Sequence, residues 1–211
     1  MRDIFFKKVL LLAALGCVCA GVLLASESDR RNNSRPTTNV LMLGLSDNVW
    51  SDYFPKVMIA EETGVAVESI DREYNAIIME NIMASANGAF KFISSDVDAH
   101  KLANTIKVSG EGDASYSDLS QTSAEDFRMA LETAEAEYLL VINQHFLKWQ
   151  EKPMRTLFHI VSYSLFDKDR NEVYRGNHHF ASMYLETPDQ LRKSSRRASS
   201  RIASTITNHI K

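Results

Sequence analysis

The chain has 211 residues, 45% of them hydrophobic and 24% charged, with a formal net charge of −3; that composition fits one well-cored globular domain and excludes a disordered or fibrous chain. Without Met1–Ala25 there remain 21 basic and 26 acidic residues, a balance that speaks against a nucleic-acid binder. Cys17 and Cys19 are the only cysteines, so the region beyond them has no disulfide, thiol nucleophile or thiolate metal ligand.

Lys7 and Lys8 precede an uncharged run from Val9 to Ala25, the order of features that export machinery reads as a signal. Residues 1–25 are therefore expected to be a leader with one of three fates. Small residues at Val18-Cys19-Ala20, or at Leu23-Leu24-Ala25, can position a signal-peptidase cut. Ala14-Leu15-Gly16-Cys17 is similar to a bacterial lipobox in which Cys17 is acylated, although Ala14 stands where Leu is usual and apolar residues follow the cysteine. The 17-residue run also just reaches the length of a retained anchor.

Residues 26–38 are polar, carry Pro36 and have little to bury, as a flexible tether does. A single α/β domain is expected over 39–211. Val40–Leu45 is a continuous apolar run of strand length, predicting a strand buried on both faces and helices covering them. Between Ile70 and Gly88, Tyr74, Ile77, Ile78, Ile82 and Ala86 share one helical face, with Asn87-Gly88 as the stop. Ala89–Ile93 reads as a short strand, and Ser109–Ser123, rich in Gly and Ser, as a mobile loop. Ser123 caps the next helix, with Phe127, Ala130, Leu131 and Ala134 on its apolar face. Three long strands follow, Tyr138–Lys148, Arg155–Phe166 and Glu172–Tyr184, joined by short turns near Lys152-Pro153 and over Asp167–Asn171, which suits antiparallel neighbours. Thr187, Pro188 and Gln190 then form the N-terminal signature of one closing helix, with Leu191, Ala198, Ile202, Ile206 and Ile210 as its stripe. The fold class is α/β (α+β): a mixed sheet with a C-terminal three-stranded antiparallel part and helices packed on it.

This order of elements, with "AEYLLVINQHF" after a helix, "FHIVSYSLFDKDRNEVYRG" next and a closing helix, resembles a group of bacterial envelope domains. The group includes the TolB N-terminal domain, the lipoprotein activators of penicillin-binding proteins and the curli-secretion lipoprotein. The chain departs from them at Asn143-Gln144, where a glycine is frequent, and at Asp169-Arg170-Asn171, where a Thr-Gly turn is. The resemblance implies a non-catalytic, partner-binding domain on the periplasmic side of the envelope, lipid-anchored or soluble.

Several constellations carry candidate chemistry. Asp167, Asp169 and Asn171 resemble the start of a calcium loop, but Glu172 replaces the required glycine and His178 the bidentate Glu, which favours a plain hairpin turn. With turns centred near Lys152 and Asp169, strand parity places His145, His159 and His179 on one face as a possible zinc triad, with Tyr163 opposed to Arg175 there. The competing expectation is a polar surface strip. Arg192, Lys193, Arg196, Arg197 and Arg201 crowd the closing helix away from its stripe, as a solvated face, a partner-docking face or a partner of Glu125, Glu132, Glu135 and Glu137. Trp50 and Tyr53 follow the first strand, where α/β folds place binding loops, as contact aromatics or core packing. No nucleophile-elbow or phosphate-loop pattern surrounds Gly44.

The expectation is thus an exported, non-enzymatic module that binds another envelope protein and takes no cofactor or nucleic acid. A histidine-based metal enzyme and a subunit of an oligomeric secretion complex are its alternatives.

Overall fold

The computed structural model describes residues 37–86, 88–94 and 98–210. The expected leader, Cys17 included, and the expected tether up to 36 lie outside these residues.

Strand β1 (Thr38–Gly44) is the apolar run near the start, and its neighbours explain its composition. It lies between β3 (Phe90–Ser94) and β6 (Tyr138–Gln150), parallel to both, so neither face nor edge meets water. β6 then pairs antiparallel with β7 (Thr156–Asp167), and β7 with β8 (Glu172–Ser182), giving the order β3-β1-β6-β7-β8. A short β2 (Val49–Ser51) continues β1's path along β6 after a break, pairing Val49 with His145. The segment after the first strand is therefore partly strand. The three long strands begin and end within two residues of their expected bounds.

Helices cover both faces. On one, α2 (Ile70–Ala84) and α6 (Arg196–His209) press Ile78, Ile82, Ile202 and Ile206 onto Val40, Met42, Leu140 and Val161. On the other, α3 (Asp98–Ala103) and α4 (Ala124–Thr133) cover Leu41, Leu43, Leu139 and Val141 with Leu102, Phe127 and Leu131. Ser123 caps α4 as expected, its Oγ accepting from the amides of Glu125 and Asp126. α2 ends at Ala84, so Ala86 is not part of its stripe and is exposed.

Two expectations are corrected by the structure, and it adds a helix that the sequence reading did not anticipate. The Ser109–Ser123 segment is built into the fold: Lys107–Ser109 (β4) pairs with Tyr116–Asp118 (β5), and its polar groups serve the sheet. Ser117 Oγ donates to Asn143 Oδ1 at 2.6 Å and Asn143 Nδ2 to Ser115 O at 3.0 Å. Composition could not reveal this, because serine hydroxyls satisfy buried acceptors as readily as water does. The closing helix is two, α5 (Pro188–Ser194) and α6, broken at Ser195, whose buried Oγ donates to Leu191 O and accepts from Asn81 Nδ2. Finally, α1 (Lys56–Thr63) has no apolar periodicity to announce it; it buries only Ile59 and Thr63 and stops at Gly64, whose φ of 74° is a left-handed cap.

Candidate functional site

At the carboxyl ends of β1 and β3, between α2 and α3, lies a crevice of about 700 Å³, the position where parallel sheets place their sites. Its floor is Gly44, Leu45 and a buried pair of amides. Asn48 Nδ2 donates to Asn75 Oδ1 (2.9 Å), and Asn75 Nδ2 to Asn48 Oδ1 (3.1 Å) and Leu45 O (2.9 Å). The pair needs Gly44: a Cβ there would stand 2.6 Å from the Asn75 side chain. Gly44→Ala should therefore cost about 3 kcal/mol by displacing Asn75 and orphaning its buried partners; an unchanged denaturation midpoint would sink this reading of the floor.

On the rim, Lys56 Nζ bridges Asp71 Oδ2 (2.8 Å) and Asp47 Oδ1 (3.0 Å), while Asp71 Oδ1 accepts from the Val49 amide (2.8 Å). Burial works to lower the Lys56 pKa, but the hydrogen bonds and charges of Asp71 and Asp47 leave it raised. These charges hold the β1–β2 connection in place.

Trp50 and Tyr53 are both exposed, so neither is core packing, yet they serve opposite faces. Trp50, 47% exposed, stacks on Phe146 at 5.1 Å. Tyr53 stacks on Trp149 at 5.8 Å, with Phe54 edge-on to both. Ser51 shapes that corner by donating to Leu147 O and accepting from the amides of Tyr53 and Phe54. Trp149, Leu157 and Ser182 form one row across three strands. That end of the sheet therefore gathers Tyr53, Met154, Met183 and Tyr184, between 61% and 73% exposed. Sequence reading missed both methionines and Tyr184; two large apolar residues directly after a long strand were the available signal.

The histidine triad does not form. β7–β8 pairing starts as expected, with Phe166 opposite Glu172, but an irregularity before Leu165 slips the register by one residue. A one-residue slip reverses every later side chain. His159 thus faces Phe180, their rings stacked at 4.5 Å, and His179 points out of the opposite face, exposed. For the same reason Tyr163 opposes Gly176, and Arg175 lies over the Tyr116 ring on the far side. Among the described residues no group of three His, Cys, Asp or Glu could hold a metal.

His145 and His159 do meet. A β-bulge at Asn143 turns His145 towards α2, and its Nε2 lies 3.1 Å from His159 Nδ1, both rings at most 1% exposed. They are not a polar surface strip. Burial holds the His145 pKa down at about 3, and burial plus the neighbouring His145 hold His159 well below its ordinary value.

Asp167 closes the β7–β8 turn as a hairpin, its Oδ1 accepting from the amides of Asp169 and Asn171. Arg192 pairs with Glu80 (3.1 Å) and Asp189 (3.4 Å), and with exposed Arg196 and Arg197 it lines a shallow groove against α2. Glu125 and Glu132 are no partners for it, because α4 covers the opposite face of the sheet, where Glu132 pairs with Arg128.

No protein-family model matches the chain, and no curated protein matches it. Among solved structures, the hypothetical protein CT253 from Chlamydia trachomatis is similar with a TM-score of 0.51 at 12% identity, covering 82% of this chain and 98% of that one. It shares the fold. A PelC dodecamer from Paraburkholderia phytofirmans aligns with a TM-score of 0.39 at 8% identity over 80% of this chain and 87% of that one. Protein XCC0632 from Xanthomonas campestris aligns with a TM-score of 0.35 at 6% identity over 80% of each.

Proposed function

We propose that this chain is a non-catalytic module, exported into a bacterial envelope, that binds another envelope protein through the end of its sheet bearing Tyr53, Met154, Met183 and Tyr184. One observation carries the reading: four large, strongly exposed apolar or aromatic side chains gather at one end of a domain whose other large side chains are mostly buried. Exposed apolar surface rimmed by polar groups marks contact sites, and Tyr, Trp and Met are the residues enriched there. The basic start and apolar run of the leader support export. Lys56, Asp71 and Asp47 on the crevice rim are engaged with one another, which suits a binding scaffold better than acid–base chemistry.

A photo-cross-linker at position 53 or 184 in cells should capture a partner, whereas one at exposed Arg128 on α4 should not. Tyr184→Asp should weaken capture from position 53 by at least about tenfold, as loss of an interface anchor does. Equal capture from all three positions overturns the docking surface. Export is tested by intact mass: removal of residues through Ala20 or Ala25, a lipid on Cys17, or an uncut chain in the membrane supports it, and an uncut cytosolic chain refutes it.

A further inference from the structure

The hydrogen atoms of the buried histidine pair can be placed by elimination. Ser182 Oγ lies 2.7 Å from Tyr184 O, an acceptor only, so its single proton points there. Towards His159 Nε2, 3.1 Å away, the serine can then only accept, so that nitrogen carries hydrogen. In a neutral imidazole the other nitrogen is an acceptor, so His159 Nδ1 accepts and His145 Nε2 donates across their 3.1 Å contact. His145 Nδ1 is left as a lone pair, and among the described residues nothing partners it or the nearby Tyr74 hydroxyl. The relay runs from the core of the sheet to the backbone of Tyr184, which sits on the docking edge.

We propose that the His145–His159–Ser182 relay is an acid-released latch: in acid an imidazole that leaves the relay binds a proton it cannot carry back, which holds the Met183–Tyr184 edge free. At His159 Nδ1 an added proton would meet the His145 Nε2–H head-on. At His145 Nδ1 it would bury a cation beside the Tyr74 ring, which packs with Ile59, Ile70, Ile77 and Leu147. Burial already disfavours the charged form of both rings.

The groups facing the pair offer little to compensate. α2 contributes Tyr74, whose phenol burial pushes up and keeps neutral, and β8 contributes Phe180. Packed with Tyr74, β2, α1 and α5 contribute the aliphatic Val49, Ile59 and Leu191. Glu186, beyond β8, is a carboxylate near enough to raise the Tyr74 pKa; burial raises its own pKa and it accepts from Ser194 Oγ. His178, further along β8, stacks on Tyr163; burial, then Arg201 and His179, lower its pKa.

As a regulator of partner release the latch rests on the docking surface proposed above, but its test needs no partner. Hydrogen exchange on the full chain at pH 7.5 and 5.5, corrected for intrinsic rates, should show the amides of 182–187 losing about tenfold protection for each imidazole that becomes charged. The β1 amides should change less. Ser182→Ala, a substitution at a half-buried surface position, should leave the edge unprotected at both pH values. Nitrogen-15 spectra at pH 7.5 should show Nε2–H on both rings. A uniform loss across the domain, a pH step that survives in Ser182→Ala, or an Nδ1–H form of either ring overturns the latch. Failed cross-linking at position 184 at neutral pH would instead overturn the docking surface alone.

Discussion

Ile206→Asp is expected to leave no folded domain. Ile206 is fully buried between α6 and the sheet, packed with Val161, Tyr163 and Ile202. The substitution gives up about 2–3 kcal/mol of apolar burial and adds the cost of an uncompensated carboxylate, several kcal/mol more. Together these exceed about 5 kcal/mol, the lower bound for a domain of ordinary stability. Loss of the cooperative melting transition checks it; a soluble monomer that melts normally would mean that α6 does not pack as described.

Lowering the pH from 7.5 to 5.5 is expected to cost the domain about 2–3 kcal/mol, well before its carboxylates titrate. The sign follows from the depressed folded-state pKa values of His145 and His159. Below the ordinary value of about 6.5 the unfolded chain binds protons that the folded chain refuses, so stability is intact above that pH and falls by about 1.4 kcal/mol per unit for each ring. For His145 the loss continues until its folded value of about 3. His178, also lowered, adds to the effect; Glu186, raised by burial, opposes it, since its contribution is largest in acid. Urea midpoints across this range should show the slope, and His145→Gln should remove about half of it. A flat profile would mean that the pair is not buried and neutral.

The two predictions differ in how far the sequence reached them. Ile206 could be assigned to the core from spacing, because Leu191, Ala198, Ile202 and Ile206 recur with helical period and a helix has one way to bury such a stripe. The long strands and the α4 cap were legible for the same reason: local patterns with a single local solution. The histidine pair was only half legible. Parity along β6 and β7 brought His145 and His159 to one face, but which face that is was set by the bulge at Asn143, which turns His145 towards α2. The Asn143 side chain anchors the β4–β5 segment through Ser115 and Ser117 and ties it to Ser164 of β7.

What the chain order alone settled is the class of fold, the buried central strand, the antiparallel C-terminal strands and the stripe of the last helix, all dictated by periodicity and by short turns. What required the assembled structure is everything set by register and by meetings distant in sequence. The slip between β7 and β8 sends His179 outward, Gly44 makes room for Asn75, and Tyr53 comes to share one end of the sheet with Tyr184. A bulge inserts a single residue without changing the apolar alternation on either side of it, so nothing local records it, although it decides which side chains face each other across the sheet.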